Sequence, residues 1–414
     1  MKKTWIAFIS VFVLSFIALI WIGTEVYQTQ PPIPETVIIK ETNAVFYTKE
    51  DIQIGQNVWE SIGGMEVGSI WGHGSYVAPD WTADWIHKEA VFMLEAWAKS
   101  DFNKNYSDLN VEKKAALKAR LIKDIKTNTF NETDKSITIS ASRLAAVQEN
   151  IKHYTSIFSE GKAEYAIPVG ALTNPEKLKQ LNAFLFWTSW AASTNRPEKD
   201  YTYTSNWPHE PLIDNLITDD SIIWSGLSIV LLLLFIGILT YYYLLNHEKG
   251  ELIEKPDADP LTNLKLFKSQ KTILKYFIVI SLLIALQVVL GALTVHYTVE
   301  GQAFFGFDLA SYLPYSITRT WHTQLAVFWI AATWLATGLF LAPMISGKEM
   351  KYQRFGINFL FFALLIIVLG SMAGEWLGVH QFLDLTTNFF FGHQGYEYMD
   401  LGRFWQIFLG FGLI

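Results

Sequence analysis

The sequence predicts a mainly α-helical membrane protein that also carries a large water-exposed domain. Hydrophobic residues make up 51% of the 414 residues and charged residues only 17%, with a positive mean hydropathy. These values are typical of neither an ordinary soluble enzyme nor a wholly embedded protein. Several apolar runs are long enough to cross a bilayer. Residues 24–220, between the first two of these runs, are polar and amphipathic.

The composition excludes several classes of site. The chain has no cysteine, which excludes disulfides, zinc–thiolate sites, iron–sulfur clusters and a Cys-x-x-Cys-His haem attachment. The net charge of −7, without a basic stripe in the sequence, argues against nucleic acid as a partner. Any redox group must therefore be held by histidine, methionine, tyrosine or carboxylate side chains.

The first apolar run predicts an N-terminal transmembrane anchor within residues 1–23. It extends from Trp5 to Ile22 and follows Lys2 and Lys3. Because the run is about as long as a membrane span and no small-residue cleavage pattern follows it, we expect an uncleaved anchor rather than a signal peptide. The flanking lysines place the N-terminus in the cytoplasm.

Residues 24–220 are expected to form a helical domain outside the cytoplasm. Hydrophobic residues recur there with a helical period, which predicts helices at 50–62, 81–99, 111–126, 142–158 and from Pro175 onward. The segment from Gly63 to Asp80 is rich in glycine. We expect its backbone to approach another group closely, although composition leaves a plain surface loop open.

Residues 221–414 are expected to form a membrane bundle, with spans near 222–245, 273–295, 321–343 and 355–373. Lysines and arginines concentrate in alternate loops, which places the large domain on the extracytoplasmic side. The residues from Glu375 to Arg403 are expected to lie outside, as an acidic and aromatic segment. A further run begins at Phe404 and has about half of the roughly twenty residues that a span needs, so we expect a sixth span that is cut short.

A histidine near the start of the fourth span is the main candidate for a redox site. An ionisable side chain in a membrane span is costly and marks a candidate site. A neutral imidazole directed into a helix bundle, as expected for His322, is a good axial ligand for haem iron. Arg319, about one turn earlier, could pair with a haem propionate. A histidine at the interface, bonded to a backbone carbonyl, is the alternative.

Two further clusters lie at the expected outer ends of the spans. His296 and Glu300 are four residues apart and share one side if the third span stays helical, where they could accept protons from a quinol. A solvated interfacial pair is the simpler alternative. Glu397 and Asp400, before the last run, could bind a hard cation or cap the sixth span.

Several motifs together resemble the N-terminal part of quinol-dependent nitric oxide reductases, which belong to the haem–copper oxidase superfamily. The resemblance rests on these stretches: Gly-Gln-Asn-Val-Trp-Glu-Ser-Ile-Gly-Gly-Met-Glu from Gly55, Gly-His-Gly-Ser-Tyr-Val-Ala-Pro-Asp-Trp from Gly72, Asn-Trp-Pro-His-Glu-Pro from Asn206, Arg-Thr-Trp-His-Thr-Gln-Leu from Arg319, and Gly-His-Gln-Gly-Tyr-Glu-Tyr-Met-Asp-Leu-Gly-Arg-Phe-Trp-Gln from Gly392. It implies that residues 24–220 are a cytochrome c-like domain without haem. It also implies a partial haem–copper-oxidase-type bundle in a bacterial plasma (inner) membrane.

The resemblance implies a role in denitrification, with menaquinol or ubiquinol supplying the electrons that reduce two NO molecules to N2O and water. It makes His322 an axial ligand of the low-spin haem b, and it makes His296 and Glu300 residues of the quinol pocket. A calcium ion that bridges haem propionates is implied as well, with these ligands: Glu397, the Tyr76 side chain and the Gly74 carbonyl. A homodimer stays open.

In this family, the catalytic centre is formed by residues that come later in the sequence than the motifs quoted above. Haem b3 and a non-haem iron are held by histidines and a glutamate on later spans, and the second ligand of haem b lies later still. We therefore expect the binuclear-centre ligands beyond Ile414, no catalytic residue within this chain, and no NO reduction by the 414 residues alone. Two alternatives remain: an oxygen-reducing relative in the same superfamily, and a membrane-anchored extracytoplasmic sensor or transporter without haem.

Overall fold

The computed structural model describes residues 2–246, 266–394 and 400–413 and confirms a mainly helical protein with membrane spans. Helix α1 (Lys2–Thr29) is the N-terminal span and continues past residue 23, the predicted end of the anchor. Glu397, together with three lysines of the predicted cytoplasmic loop, lies outside the described residues. Those lysines are Lys249, Lys255 and Lys265.

The head domain, residues 30–217, contains the five predicted helices with small shifts at their ends, and a short helix, α3, that the sequence did not predict. They are α2 (Lys49–Ser61), α3 (Gly64–Val67), α4 (Trp81–Phe102), α5 (Val111–Lys126), α6 (Ala141–Glu160) and α7 (Pro175–Ser193). Side-chain caps fix where the longer ones begin. Thr48 and Asp51 form a reciprocal capping box on α2, and Asn174 accepts two backbone N–H bonds at the start of α7. Such caps satisfy backbone donors that a helix leaves unpaired.

A four-stranded sheet in the head domain is the main element that the sequence does not predict. Its strands are β1 (Thr36–Ile39), β2 (Val45–Thr48), β3 (Phe130–Asn131) and β4 (Ser136–Ile139), in the order β2-β1-β4-β3. Strand β1 pairs antiparallel with β2 and parallel with β4, and β3 pairs antiparallel with β4. Three of these strands have four residues and β3 has two, so alternation gives little signal for a strand at any of them.

The head domain has an aromatic core and a buried ion pair. Trp85 and Tyr154 are fully buried and stack with ring centroids 5.1 Å apart. Arg143 on α6 donates from Nε to Glu89 on α4 at 2.6 Å, and both side chains are buried. Trp85 donates its indole N–H to the other oxygen of Glu89 at 3.1 Å. The pair therefore joins α4 to α6 through a fully bonded carboxylate.

Four long helices follow the head domain, with two short ones after them. They are α8 (Asp219–Asn246), α9 (Lys268–Val299), α10 (Tyr315–Ser346), α11 (Gln353–Val379), α12 (Leu385–Phe391) and α13 (Arg403–Leu413). Counting α1, five helices among the described residues are long and apolar enough to cross a membrane. The apolar side chains of α1 and α8 are exposed, as expected of surfaces that lipid covers.

Two boundaries correct the expectations for the bundle. Helix α10 begins at Tyr315, directly after Pro314, so His322 lies about two turns inside the helix. Helix α11 continues to Val379, so the segment from Glu375 onward is not wholly an outer loop. Glu375 is fully buried in α11, and its hydrogen bond to a neighbouring helix allows a carboxyl group to lie inside the span.

The head domain contacts the bundle at several polar points. Ser75 and Tyr315 approach each other through their hydroxyl oxygens at 3.5 Å, as expected for the loop from Gly72 to Asp80. His393 donates from Nδ1 to the carbonyl of Glu60 at 3.3 Å. Close backbone approach is also seen, because a Cβ atom at Gly63 would lie only 2.6 Å from the Cβ of Ser316 on α10. The expected close approach of the glycine-rich segment is thereby confirmed.

Arg143→Met should destabilise the head domain by about 3–5 kcal/mol, because it leaves the buried Glu89 carboxylate without its cation. Denaturant titration of the solubilised protein, followed by tryptophan fluorescence, measures the change. Lys152→Met is the control, since Lys152 and Glu149 form an exposed pair and its loss should cost about 0–1 kcal/mol. Equal effects of the two substitutions would contradict the structural role given to Arg143.

Candidate functional site

His322 lies where α10 packs against α9. Its Nδ1–H donates to the backbone carbonyl of Gln287 on α9 at 2.8 Å. A carbonyl can only accept, so a neutral imidazole in this position carries its proton on Nδ1 and leaves Nε2 as the lone-pair nitrogen. Metal-binding histidines are usually oriented by such a bond. The contact therefore agrees with both explanations offered by the sequence, a haem ligand and a histidine bonded to a carbonyl.

Helix α9 carries a glycine where the His322 ring approaches it. A Cβ atom at Gly291 would lie 2.7 Å from Cε1 and 2.9 Å from Nδ1 of His322. These distances are shorter than packed non-bonded atoms tolerate, so any larger residue would displace the ring. An imidazole seated this firmly, with Nε2 as its lone-pair nitrogen, fits the axial ligation of a haem iron.

Arg319 connects the bundle to the head domain. Its Nη1 donates to Oε2 of Glu66 at 2.6 Å. Glu66 belongs to α3 and its side chain is only 1% exposed. The two residues are 253 positions apart in the chain, so the pair is a tertiary contact between α3 and α10. The expected contact of Arg319 with a haem propionate stays a prediction, and the structure adds a carboxylate partner that the sequence did not indicate.

His296 and Glu300 lie side by side at the end of α9, as their spacing predicts. Nδ1 of His296 is 3.0 Å from Oε2 of Glu300, and the side chains are 35% and 42% exposed. The Phe304 ring stacks on the imidazole with a centroid distance of 4.0 Å. Phe305 contacts the same imidazole edge to face. An accessible histidine–carboxylate pair beside two aromatic rings can hold a flat aromatic molecule and accept its protons.

A buried polar network between α10, α11 and the segment before α13 was missed by sequence reasoning. Gln324 donates from Nε2 to Oε1 of Glu375 at 2.5 Å and to the carbonyl of Asp400 at 2.6 Å. Asp400 also contacts the His393 ring and the backbone N–H of Gln394. Among the described residues, Oε2 of Glu375 has no hydrogen-bond partner. The one available signal was a glutamate within an apolar run, which is unusual enough to mark a site.

The network extends to the end of α2 in the head domain. Burial raises the pKa of Glu60 to about 7, despite a hydrogen bond from Gln56 at 3.2 Å. The negative charge of Asp400 acts in the same direction, and Arg403 opposes it. The Glu60 side chain therefore titrates near neutral pH at the junction of head domain and bundle.

The expected calcium ligands are only partly visible. Tyr76 is 73% exposed and donates its hydroxyl to the carbonyl of Gly72 at 3.1 Å, while Gly74 is buried in the same loop. Glu397 lies outside the described residues. Within residues 2–246, 266–394 and 400–413, no three His, Asp or Glu side chains are grouped to hold a metal ion. The calcium site therefore stays a prediction.

Two family models match the chain over separate regions. Residues 34–209 match the model of the NorB cytochrome c-like domain of nitric oxide reductase. Residues 271–414 match the model described as cytochrome c and quinol oxidase polypeptide I. No curated protein matches the chain.

The order of the two matches agrees with the structure. The first covers most of the head domain, and the second covers α9 to α13, which contain His296, Arg319 and His322. Because the chain has no cysteine, its cytochrome c-like domain cannot attach a haem through thioethers. Together the two matches, over residues 34–209 and 271–414, support a haem–copper oxidase of the nitric oxide reductase type.

Proposed function

We propose that this protein takes part in quinol-dependent reduction of nitric oxide, in which two NO molecules become N2O and water. The observation that carries the proposal is the seating of His322 between the Gln287 carbonyl and Gly291, in a region similar to the oxidase polypeptide. When bound at Nε2 of His322, haem b supplies one-electron transfer. Arg319 lies about one turn earlier on the same helix, where its guanidinium can pair with a propionate.

His296 and Glu300 are proposed to bind the quinol, menaquinol or ubiquinol, and to accept its protons. A quinol gives up two protons with its two electrons, and reduction of two NO to N2O and water consumes the same numbers. An imidazole and a carboxylate are both side chains that can take a proton from a bound hydroxyl group within hydrogen-bond reach. Phe304 supports the imidazole from one face, which keeps the ring oriented for the hydroxyl of the quinol.

The remaining parts of the proposal concern location and metals. The lysine distribution supports a head domain on the extracytoplasmic side, and the resemblance to the family supports a bacterial inner membrane. Haem b3 and the non-haem iron are part of the proposed reaction because the resemblance to the family implies them. The proposed calcium site takes Glu397, the Tyr76 side chain and the Gly74 carbonyl, oxygen ligands of the kind that calcium prefers.

Oxygen reduction is the second candidate function, because the model matching residues 271–414 is described for quinol oxidases. The two functions are separated by taking the haem-loaded protein that contains the binuclear centre and both ligands of haem b, supplying it with quinol, and measuring NO consumption and oxygen consumption under matched conditions. Consumption of NO with N2O as product supports the first proposal. Consumption of oxygen alone would replace it with the second.

His322→Ala should abolish the low-spin haem b absorption spectrum in the haem-loaded protein, because it removes an axial ligand. The head domain should stay folded, since His322 contacts α9 and not the head-domain core. His73→Ala is the control: His73 is exposed in the glycine-rich loop, and its loss should leave the spectrum unchanged. An intact spectrum in the His322 variant would remove this residue from haem ligation.

Glu300→Gln should slow turnover with quinol roughly 10²–10⁴-fold, the usual contribution of a positioned proton acceptor. Turnover with an artificial donor that bypasses the quinol pocket should stay close to wild type. Asp308→Asn is the control on the following loop, because Asp308 bonds Ser311. Equal losses with both donors would count against a quinol pocket at this position.

Glu397→Ala should lower the calcium content of the purified protein, because an oxygen-ligand site loses its main charge. Elemental analysis after dialysis against a weak chelator measures the content. Glu164→Ala is the control, since Glu164 is an exposed carboxylate of the head domain. Unchanged calcium in the Glu397 variant would exclude this residue from the site.

A further inference from the structure

The ion pair of Glu66 and Arg319 places a head-domain charge beside the proposed haem site. Arg319 precedes His322 by three residues on α10, which is about 4.5 Å along the helix axis. Glu66 reaches Arg319 from α3 at 2.6 Å. Residues one turn apart on a helix lie on the same side. A charge on Glu66 or Arg319 therefore acts on whatever His322 ligates.

Burial makes this charge pair effective over distance. The Glu66 side chain is 1% exposed and that of Arg319 is 20% exposed. Solvent screens such charges much less than it screens charges on the surface. The contact also needs the close approach of the head domain at Gly63, where a Cβ atom would collide with Ser316. The head domain therefore delivers a buried negative charge to α10 at a fixed position.

We propose that the head domain sets the reduction potential of haem b through Glu66, an inference that rests on the proposed role of His322. Arg319 alone stabilises the reduced haem, which carries one positive charge less, and thus raises the potential. The carboxylate of Glu66 partly cancels the arginine and lowers the potential again. Glu66 is a positioning and tuning residue in this scheme, and it touches neither the haem nor the quinol.

Other charged groups lie near the Glu66–Arg319 pair, and they are unchanged in the variants that test the proposal. Glu375 and Asp400 face α10 through Gln324, and His393 contacts Asp400. Their contributions stay constant when only Glu66 or Arg319 is changed. Differences between variants therefore report the pair itself.

The test is a potentiometric titration of haem b in the haem-loaded protein that contains both ligands of haem b. Glu66→Gln removes the charge and can still accept the hydrogen bond from Arg319, so docking is preserved while the potential should rise. Glu66→Asp keeps the charge and should stay near wild type. Arg319→Gln should lower the potential, and the double variant should lie between the two single variants. Glu89→Gln is the matched control, because Glu89 forms an equally short, buried pair with Arg143 inside the head domain.

The outcomes separate this inference from the function on which it rests. If wild-type protein shows no low-spin haem b, the proposed role of His322 fails. If the spectrum is normal but Glu66→Gln leaves the potential unchanged, the tuning role fails and the proposed function stands. If the Glu66→Gln variant loses its haem, the reduction potential of haem b in the Arg319→Gln variant is the test instead. An unchanged potential in that variant overturns the inference. Loss of haem from both variants would show a purely structural contact and overturn it equally.

Discussion

The seating of His322 against α9 is the contact that organises the membrane part of the structure. The His322 ring donates a hydrogen bond to the Gln287 carbonyl, and it occupies the space that a Cβ atom at Gly291 would fill. Both requirements are met only when α9 and α10 lie at one separation and rotation. Trp329 reinforces that arrangement by donating to the Gln287 side chain at 2.7 Å. A displacement of either helix would therefore change the orientation of the imidazole.

The head domain contacts this site although, without cysteine, it cannot attach a haem through thioethers. Its glycine-rich segment lets α3 approach the start of α10, where Glu66 meets Arg319. Glu60 and His393 form a second contact on the same side. The head domain therefore fixes a buried carboxylate next to the helix that carries His322.

Much of the fold follows from the sequence because its signals are local. Long apolar runs predict the spans, and residues such as Thr48 and Asn174 fix the start of their helices. Non-local features were not predictable in the same way. The sheet joins short strands that are distant in the chain. The sequence places Glu375 just after a span, because its hydrogen-bond partner, Gln324, lies on another helix and gives no local signal. Likewise, the His296–Glu300 pair followed from its spacing, whereas the pairing of Glu66 with Arg319 had no local signal.

The geometry of α9 explains how one helix can serve a buried site and an accessible one. Gly291 faces α10, and His296 follows five residues later, about 7.5 Å along the axis and about 140° around it. This rotation turns His296 away from the His322 ring, and its side chain is 35% exposed. His296 is therefore accessible, while His322 lies in the contact between α9 and α10. Because Gly291 and His296 lie on the same helix, the backbone of α9 fixes the spacing between the surface that His322 packs against and the accessible histidine–carboxylate pair.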